Sequence, residues 1–578
     1  MGKMSRSIGS WPVCRINRIF YPVFAVFYYL HSFKFCLFQP MKKILAIAFL
    51  LLAFQLPVGF AQNNNITFKS FLPFTNSGTA NIWGFVKGTN EYALVGLTGG
   101  TGNNAACAIV DITTATNPVL KFTIPGPNSI WREIRTWGNY AYITTEASDN
   151  TFGITIANLS YLPDSVPTKQ FTLGGVISNV HALHIDAGYL YLYGANNNLS
   201  NGGALILDLT DPWNPTYAGA YNTRYIHDGI VKNNKLYAGE IFSGQFSIID
   251  VSNKMSPVVI NTQQTPFQFT HNTWLSSNGN ILYITDEITD ATVAAYDISD
   301  NSNIKFLDSY KRTFSNGAIP HNTYVLNNAT VTGFNTDFLL TSYYNEGVTI
   351  VDAARPANLV EVGNYDTNNL SGSSYDGTWG VYGFLPSGNL ILSDMTLGLF
   401  VVKPTYKRAA YLEGTILDAS TGLPIPNASI EIVSNSKIKF SGLDGTFKTG
   451  TVDTGNVTVR VDKAGYRTAS FIFNFTAGVV NNQTINLYPD GTGVNDFNNN
   501  SQWKVYPTTF DASINIQSNG LNLGNIIITD ISGCQVFQTQ SNGAAVQQLD
   551  LSNLAAGMYV IKYSNQSNQT FQQKIFKK

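Results

Sequence analysis

Four of the six histidines in this 578-residue chain, His181, His227, His271 and His321, recur at spacings of 46, 44 and 50 residues. Trp83 and Trp131 precede them and Trp379 follows in the same rhythm. Imidazoles brought together beside carboxylates suit a divalent transition metal, because a neutral ring nitrogen is a good ligand for a borderline cation. The metal-ligating set expected here is His227, His271 and His321 with Glu240, Glu287 and Glu346. The same groups could act as general acid and base. Trp83, Trp131, His181 and Trp379 form the expected ligand-binding set, since indoles can stack on a sugar or another flat apolar face. A structural role competes with both: a recurring histidine can bond within its own repeat, and strand-end carboxylates can accept turn N–H groups. His-Asn-Thr occurs at 271–273 and again at 321–323, which shows duplication without separating these readings.

Self-similarity at this period marks a repeat architecture. Each unit reads as a short apolar run, a turn, a tyrosine-rich run, and a segment ending near Val-Asp-Ile. In the first unit the expected strands are 84–87, 92–96, 108–112 and 119–124. The third strand ends on Asp111, Asp208, Asp250, Asp297 or Asp352 in five units, with Asn158 in the second. Asp there, with Asn-Pro or Ser-Pro soon after, is turn chemistry. Seven units of four strands describe a seven-bladed β-propeller. The seventh lacks a fourth strand after Val402, while 66–72 stands unassigned ahead of the first unit, so the two are expected to pair and close the ring. Acidic residues, among them Glu146, Glu240, Asp286, Glu287, Glu346 and Asp394, end the second strands on the face of the histidine column, and Asp228 follows His227. His184, three residues beyond His181, is expected to face the opposite way.

These phrases resemble LVIVD repeats, and the arrangement over 62–404 is similar to the bacterial surface proteins called choice-of-anchor B. The resemblance implies a propeller fold and is nearly silent on activity.

Charged residues make up 12% of the chain and the net charge is −1. Recognition of nucleic acid through a basic face is thereby disfavoured. Met41-Lys42-Lys43, an apolar run and Gly59-Phe60-Ala61 read as a secretory signal peptide over 41–61. Residues 1–40 then read as an upstream extension with the true start at Met41. A membrane anchor at 19–38 is weakened by Pro22, His31 and Lys34, so no stable span is expected in the mature chain. Cys107 and Cys534, the two cysteines beyond the leader, fall in different domains and offer no disulfide framework.

Beyond the propeller, period-2 strands with Gly, Pro and Asp turns over 411–487 argue for a small β-sandwich. The stretch resembles the carboxypeptidase regulatory-like domain. A polar linker, 488–502, leads to 503–578. There Val505-Tyr506-Pro507, Gly557-Met558-Tyr559 and the basic tail resemble the C-terminal β-sandwich sorting domain of Bacteroidota type IX secretion. The resemblance implies passage through that machinery to the surface or medium, and removal of the domain. The expected whole is an all-β, monomeric, secreted or surface protein whose propeller face binds a glycan or a surface protein. The rival is an exported metal-assisted hydrolase or lyase at the histidine mouth, with a divalent ion as its candidate cofactor. The absence of a nucleophile elbow, a His-Glu-x-x-His helix and a P-loop weighs against the enzyme.

Overall fold

The computed structural model describes residues 63–100, 104–147, 152–312, 317–368, 370, 372–490, 503–518, 524–565 and 570–578. The leader readings for 1–61 lie outside the described residues, as does most of the expected linker. Among the described residues no helix is long and apolar enough to cross a membrane.

Seven antiparallel sheets of four strands follow one another up to Pro404. Six are simple meanders whose first strands are Thr79–Lys87, Ile134–Trp137, Ala182–Asp186, Asp228–Lys232, Thr270–Leu275 and Thr323–Leu326. The seventh joins Thr378–Tyr382, Leu390–Asp394 and Gly398–Pro404 to Ile66–Leu72 from the opposite end of the ring. First strands of neighbouring sheets pack against one another around a central channel, so the sheets are the blades of a seven-bladed propeller. The closing strand runs antiparallel to 398–404, with Phe68 opposite Val402 and Leu72 opposite Leu399. Phe71 seals it on Phe400, ring centroids 4.8 Å apart.

Third strands such as Ala204–Asp208 are buried on both faces, because a blade lies on either side of them. The Asp that ends each one works as a turn acceptor. Asp111, Asp208, Asp250, Asp297 and Asp352 each take the backbone N–H two residues on, at 2.6–3.0 Å. Asn158 does the same in the second blade. In those five blades the fourth strand bulges against the third just before the Asp, as between Ile248 and Ile249. An extra residue there strengthens the local twist.

One boundary differs from the sequence reading in a way that matters. The first blade's inner strand begins at Thr79, not at 84, because Ala80, Asn81 and Ile82 are fully buried against neighbouring blades.

Two smaller β units follow. One pairs a three-stranded sheet (Thr446–Thr451, Ala410–Asp418, Val480–Leu487) with a four-stranded one around Ile430, Val459, Val461 and Ile485. It docks on blade six through paired charges. Arg355 grips Glu413 with two N–H donors at 3.0 Å, and Arg408 Nε and the Ala409 N–H both donate to the fully buried Asp352 at 2.7 and 2.8 Å. The last unit packs a three-stranded and a five-stranded sheet around Ile514, Ile528, Ile561 and Ile575.

Candidate ligand site at the propeller mouth

Blades three to six each start their inner strand within two residues of a histidine, and ring symmetry carries that position to one height. The rings converge. His181 and His227 lie 4.0 Å apart centroid to centroid, His227 and His271 4.6 Å, and His271 and His321 4.4 Å. They line a cavity of about 40 Å³ together with Trp131, Trp379, Glu133, Asp228 and Glu287. A site of this size has room for an ion or a water or two, and not for a sugar ring.

Two imidazoles are oriented from outside. His181 turns Nδ1 to Glu146 Oε1 at 3.0 Å and presents Nε2 to His227 Nε2, also at 3.0 Å. His321 turns Nδ1 to the Trp379 carbonyl at 2.6 Å and presents Nε2 to Glu287 Oε1 at 3.8 Å. Glu287 Oε2 stands 3.6 Å from His271 Nε2, and the Tyr344 hydroxyl donates to Oε1. Among the described residues, His227 Nδ1 is buried without a partner.

Burial and the neighbouring imidazoles His181 and His321 hold His227 well below its ordinary range. His271 is lowered in the same way, by burial and by His321, His227 and His181. Burial lowers His321 to about 3 against the bond to the Trp379 carbonyl. At neutral pH these three rings are uncharged and keep a lone pair for a ligand. His181 differs: burial lowers it, but the Glu146 carboxylate outweighs burial and raises it. Burial pushes Glu287 up to about 7 against the Tyr344 hydroxyl and His181.

Below the histidines the channel is filled. Arg135 donates to Glu133 at 2.9 Å and lies over the Trp83 ring at 4.3 Å. Asp228 accepts from Asn272 at 2.7 Å. Burial pushes Glu133 up to about 7 against the pull of Arg135. Tyr324 and Tyr382 pack edge-on against Trp83 and close the layer. His184 belongs down here as well, 6.0 Å from Trp274.

The structure thus brings together His181, His227, His271, His321, Glu287, Trp131 and Trp379. Three expected site residues stand elsewhere. Glu240 is fully buried and satisfied inside blade four, accepting from Ser247 at 2.6 Å, Gln245 at 2.7 Å and Arg224 at 3.1 Å. Glu346 stands 3.5 Å from Arg312. Trp83 sits several residues deeper than the mouth because its strand starts at Thr79, and at ~3.3 Å per residue that displaces it by about 10 Å. Ala80 takes its place and packs beside Trp379. Glu133 and Glu146 were the residues to add. Glu146 carried the signal of ending a second strand on the histidine face, whereas Glu133 had none beyond its closeness to Trp131.

Comparison with known families fits this architecture. Residues 240–265 and 341–367 match the LVIVD repeat, 411–488 the carboxypeptidase regulatory-like domain, and 504–578 the secretion system C-terminal sorting domain. The last match assigns the chain to type IX secretion, with the cell surface or the extracellular space as its destination. No curated protein sequence matches the chain. Among solved structures it is similar to a candidate 6-phosphogluconolactonase from Bacteroides uniformis ATCC 8492. That pair is 13% identical with a TM-score of 0.42, over 58% of this chain and 95% of the other. A second, from Bacteroides fragilis NCTC 9343, is 13% identical with a TM-score of 0.39, over 65% of this chain and 98% of the other.

Proposed function

We propose that this exported protein is a carbohydrate-binding protein whose ligand lies across the histidine mouth of the propeller. The observation that carries the reading is a rim of exposed aromatic rings, each one or two rings from a histidine. Trp131, 39% exposed, lies 6.4 Å from His181. Phe242, 80% exposed, lies tilted 4.8 Å from Tyr225, itself 6.3 Å from His227. Tyr375, 51% exposed, lies 5.5 Å from Tyr344, itself 4.7 Å from His321. Flat rings suit the C–H faces of sugars, and the Glu146 and Glu287 carboxylates beside the histidines can accept from sugar hydroxyls. A glycan array probed with the full chain should give hits that Trp131→Ala and Tyr375→Ala each weaken at least tenfold. An array without hits, or hits indifferent to both substitutions, sinks the reading; a protein ligand captured at the same rim would replace it.

One observation favours a second reading, an exported hydrolase or lyase. Glu133 and Glu287 line the same cavity, and burial brings both to about 7, where a carboxyl can give and take protons. Turnover of an array-positive glycan by the full chain, lost in Glu287→Gln, would establish it.

A further inference from the structure

We infer that the histidine mouth is a metal centre: a single divalent transition ion held by Nε2 of His181, His227 and His321, a ring nitrogen of His271, and the Glu287 carboxylate. The inference deepens the proposed function, resting on the same mouth as the ligand site while being testable without any glycan.

A carbonyl oxygen only accepts, so the 2.6 Å contact with the Trp379 carbonyl puts a proton on His321 Nδ1. In the neutral ring Nε2 is then a bare lone pair, and it faces a carboxylate oxygen of Glu287 at 3.8 Å. Two acceptors face each other with nothing to donate between them, unless a cation or an extra proton stands there. His181 is pinned in the same way: Glu146 takes its Nδ1 proton, and its Nε2 faces the Nε2 of His227 at 3.0 Å, so that either one proton is shared between the two rings or both face a cation.

Zinc-like ions bind ring nitrogen at about 2.0–2.1 Å, so neighbouring donors around one ion stand about 3–3.5 Å apart. The His181–His227 and His271–Glu287 separations are 3.0 and 3.6 Å, and donor atoms of His227, His271 and Glu287 all lie within 4.8 Å of one another. The cavity of about 40 Å³ suits one ion and an exchangeable water.

Metal-bound histidines usually give their other N–H to a carboxylate or a backbone carbonyl, which fixes the tautomer and raises ligand basicity. Glu146 does this for His181 and the Trp379 carbonyl for His321. Both bonds also tie a histidine to a neighbouring blade, which fixes each ring while its Nε2 faces the cavity. The nitrogen-rich donor set favours zinc, copper, nickel or cobalt over magnesium or calcium. An ion left with an open position toward the rim could also take sugar hydroxyls directly, which would join the centre to the aromatic collar above it.

The test uses the full chain, stripped with chelator and titrated with zinc and, separately, copper(II). One ion per chain should bind, the thermal midpoint should rise with it, and copper should give an electron paramagnetic resonance spectrum with nitrogen couplings. His227→Ala and His321→Ala should each lower affinity at least a hundredfold, and Glu146→Gln about ten- to a hundredfold, the range expected for an outer-layer carboxylate. Glu346→Gln should leave binding unchanged. Circular dichroism confirms that each variant stays folded. Absence of stoichiometric binding by the folded chain, or an ion retained unchanged in the His227→Ala/His271→Ala double variant, overturns the inference. Glycan hits that persist in the stripped protein would leave the binding function standing without the metal.

Discussion

The histidine mouth and the dock between blade six and the small sandwich both bury ionisable groups, and they treat them in opposite ways. At the dock, partners are supplied by the chain itself. Asp352 accepts from Arg408, the Ala409 N–H and the Ala354 N–H, and Glu413 takes a two-pronged grip from Arg355 and a further bond from Asn358. At the mouth, His321 Nε2 faces a Glu287 oxygen at 3.8 Å, and among the described residues His227 Nδ1 and His271 Nδ1 have no partner. The dock has unpartnered buried atoms too, Asn358 Oδ1 and Thr449 Oγ1 among them, so what separates the two places is the pairing of ionisable groups: the dock's carboxylates meet cations, while Glu287 meets imidazoles and a hydroxyl.

Three perturbations sharpen the contrast, in descending effect on stability. Arg408→Ala leaves the fully buried Asp352 without its cationic partner, and it should destabilise the propeller–sandwich unit by about 3 kcal/mol in urea unfolding, in the range for breaking buried pairs. A loss below about 1 kcal/mol would show that the two backbone N–H groups suffice.

Lys437 is the dock's imperfect member. It is buried, reaches only the Leu359 carbonyl at 3.5 Å, and lies 5.9 Å above the Tyr310 ring. Burial, then Lys439, lowers it to about 8 against the pull of Glu361 and Asp308. A lowered folded value means that the folded chain holds this proton less tightly than the unfolded one. Its stabilising contribution is therefore full above the unfolded value near 10.5 and is lost as pH falls through about 8. Lys437→Met should raise stability at pH 7 by about 2 kcal/mol and remove the gain that the parent protein shows between pH 8 and 10.5. Equal stability of the two at pH 7 would mean that the ammonium is well solvated in place.

At the mouth the same kind of change should cost least. In the metal-stripped protein His227→Ala removes a ring whose Nδ1 satisfies nothing, and stability should shift by less than about 1 kcal/mol. With zinc present, the parent should pull ahead of the variant by a margin that grows with zinc concentration, as binding to the native state requires. A large loss in the stripped protein would turn the mouth into another joint.

Much of the architecture was legible in the residues. The Val-Asp-Ile phrase, repeated with turn chemistry after it, is a local signal: Asp208 and Asp250 bond their own chains two residues on, so neighbouring sequence carries the whole interaction. Ring closure was legible by counting, since a missing fourth strand and a spare first one leave one solution. The histidine column was visible as well, because one strand position repeats around a symmetric ring.

The selection of carboxylates was not. Glu240, Glu287 and Glu346 occupy like places in the sequence, yet Glu240 is consumed by Arg224, Gln245 and Ser247, Glu346 stands against Arg312, and Glu287 alone reaches the rings. Each outcome hangs on a partner supplied by another loop, at a separation no periodicity encodes. Trp83 was misplaced for a related reason. Whether a strand begins at 79 or 84 depends on burial of Ala80, Asn81 and Ile82 between blades, which is a property of the ring and not of the segment. Sequence alone determined the repeat, the number of blades, the appended modules and the export route, because those rest on local pattern and on count. Tertiary structure decided which acid meets which imidazole and which nitrogen of each ring faces inward, because hydrogen-bond direction is set by whatever group stands on the other side.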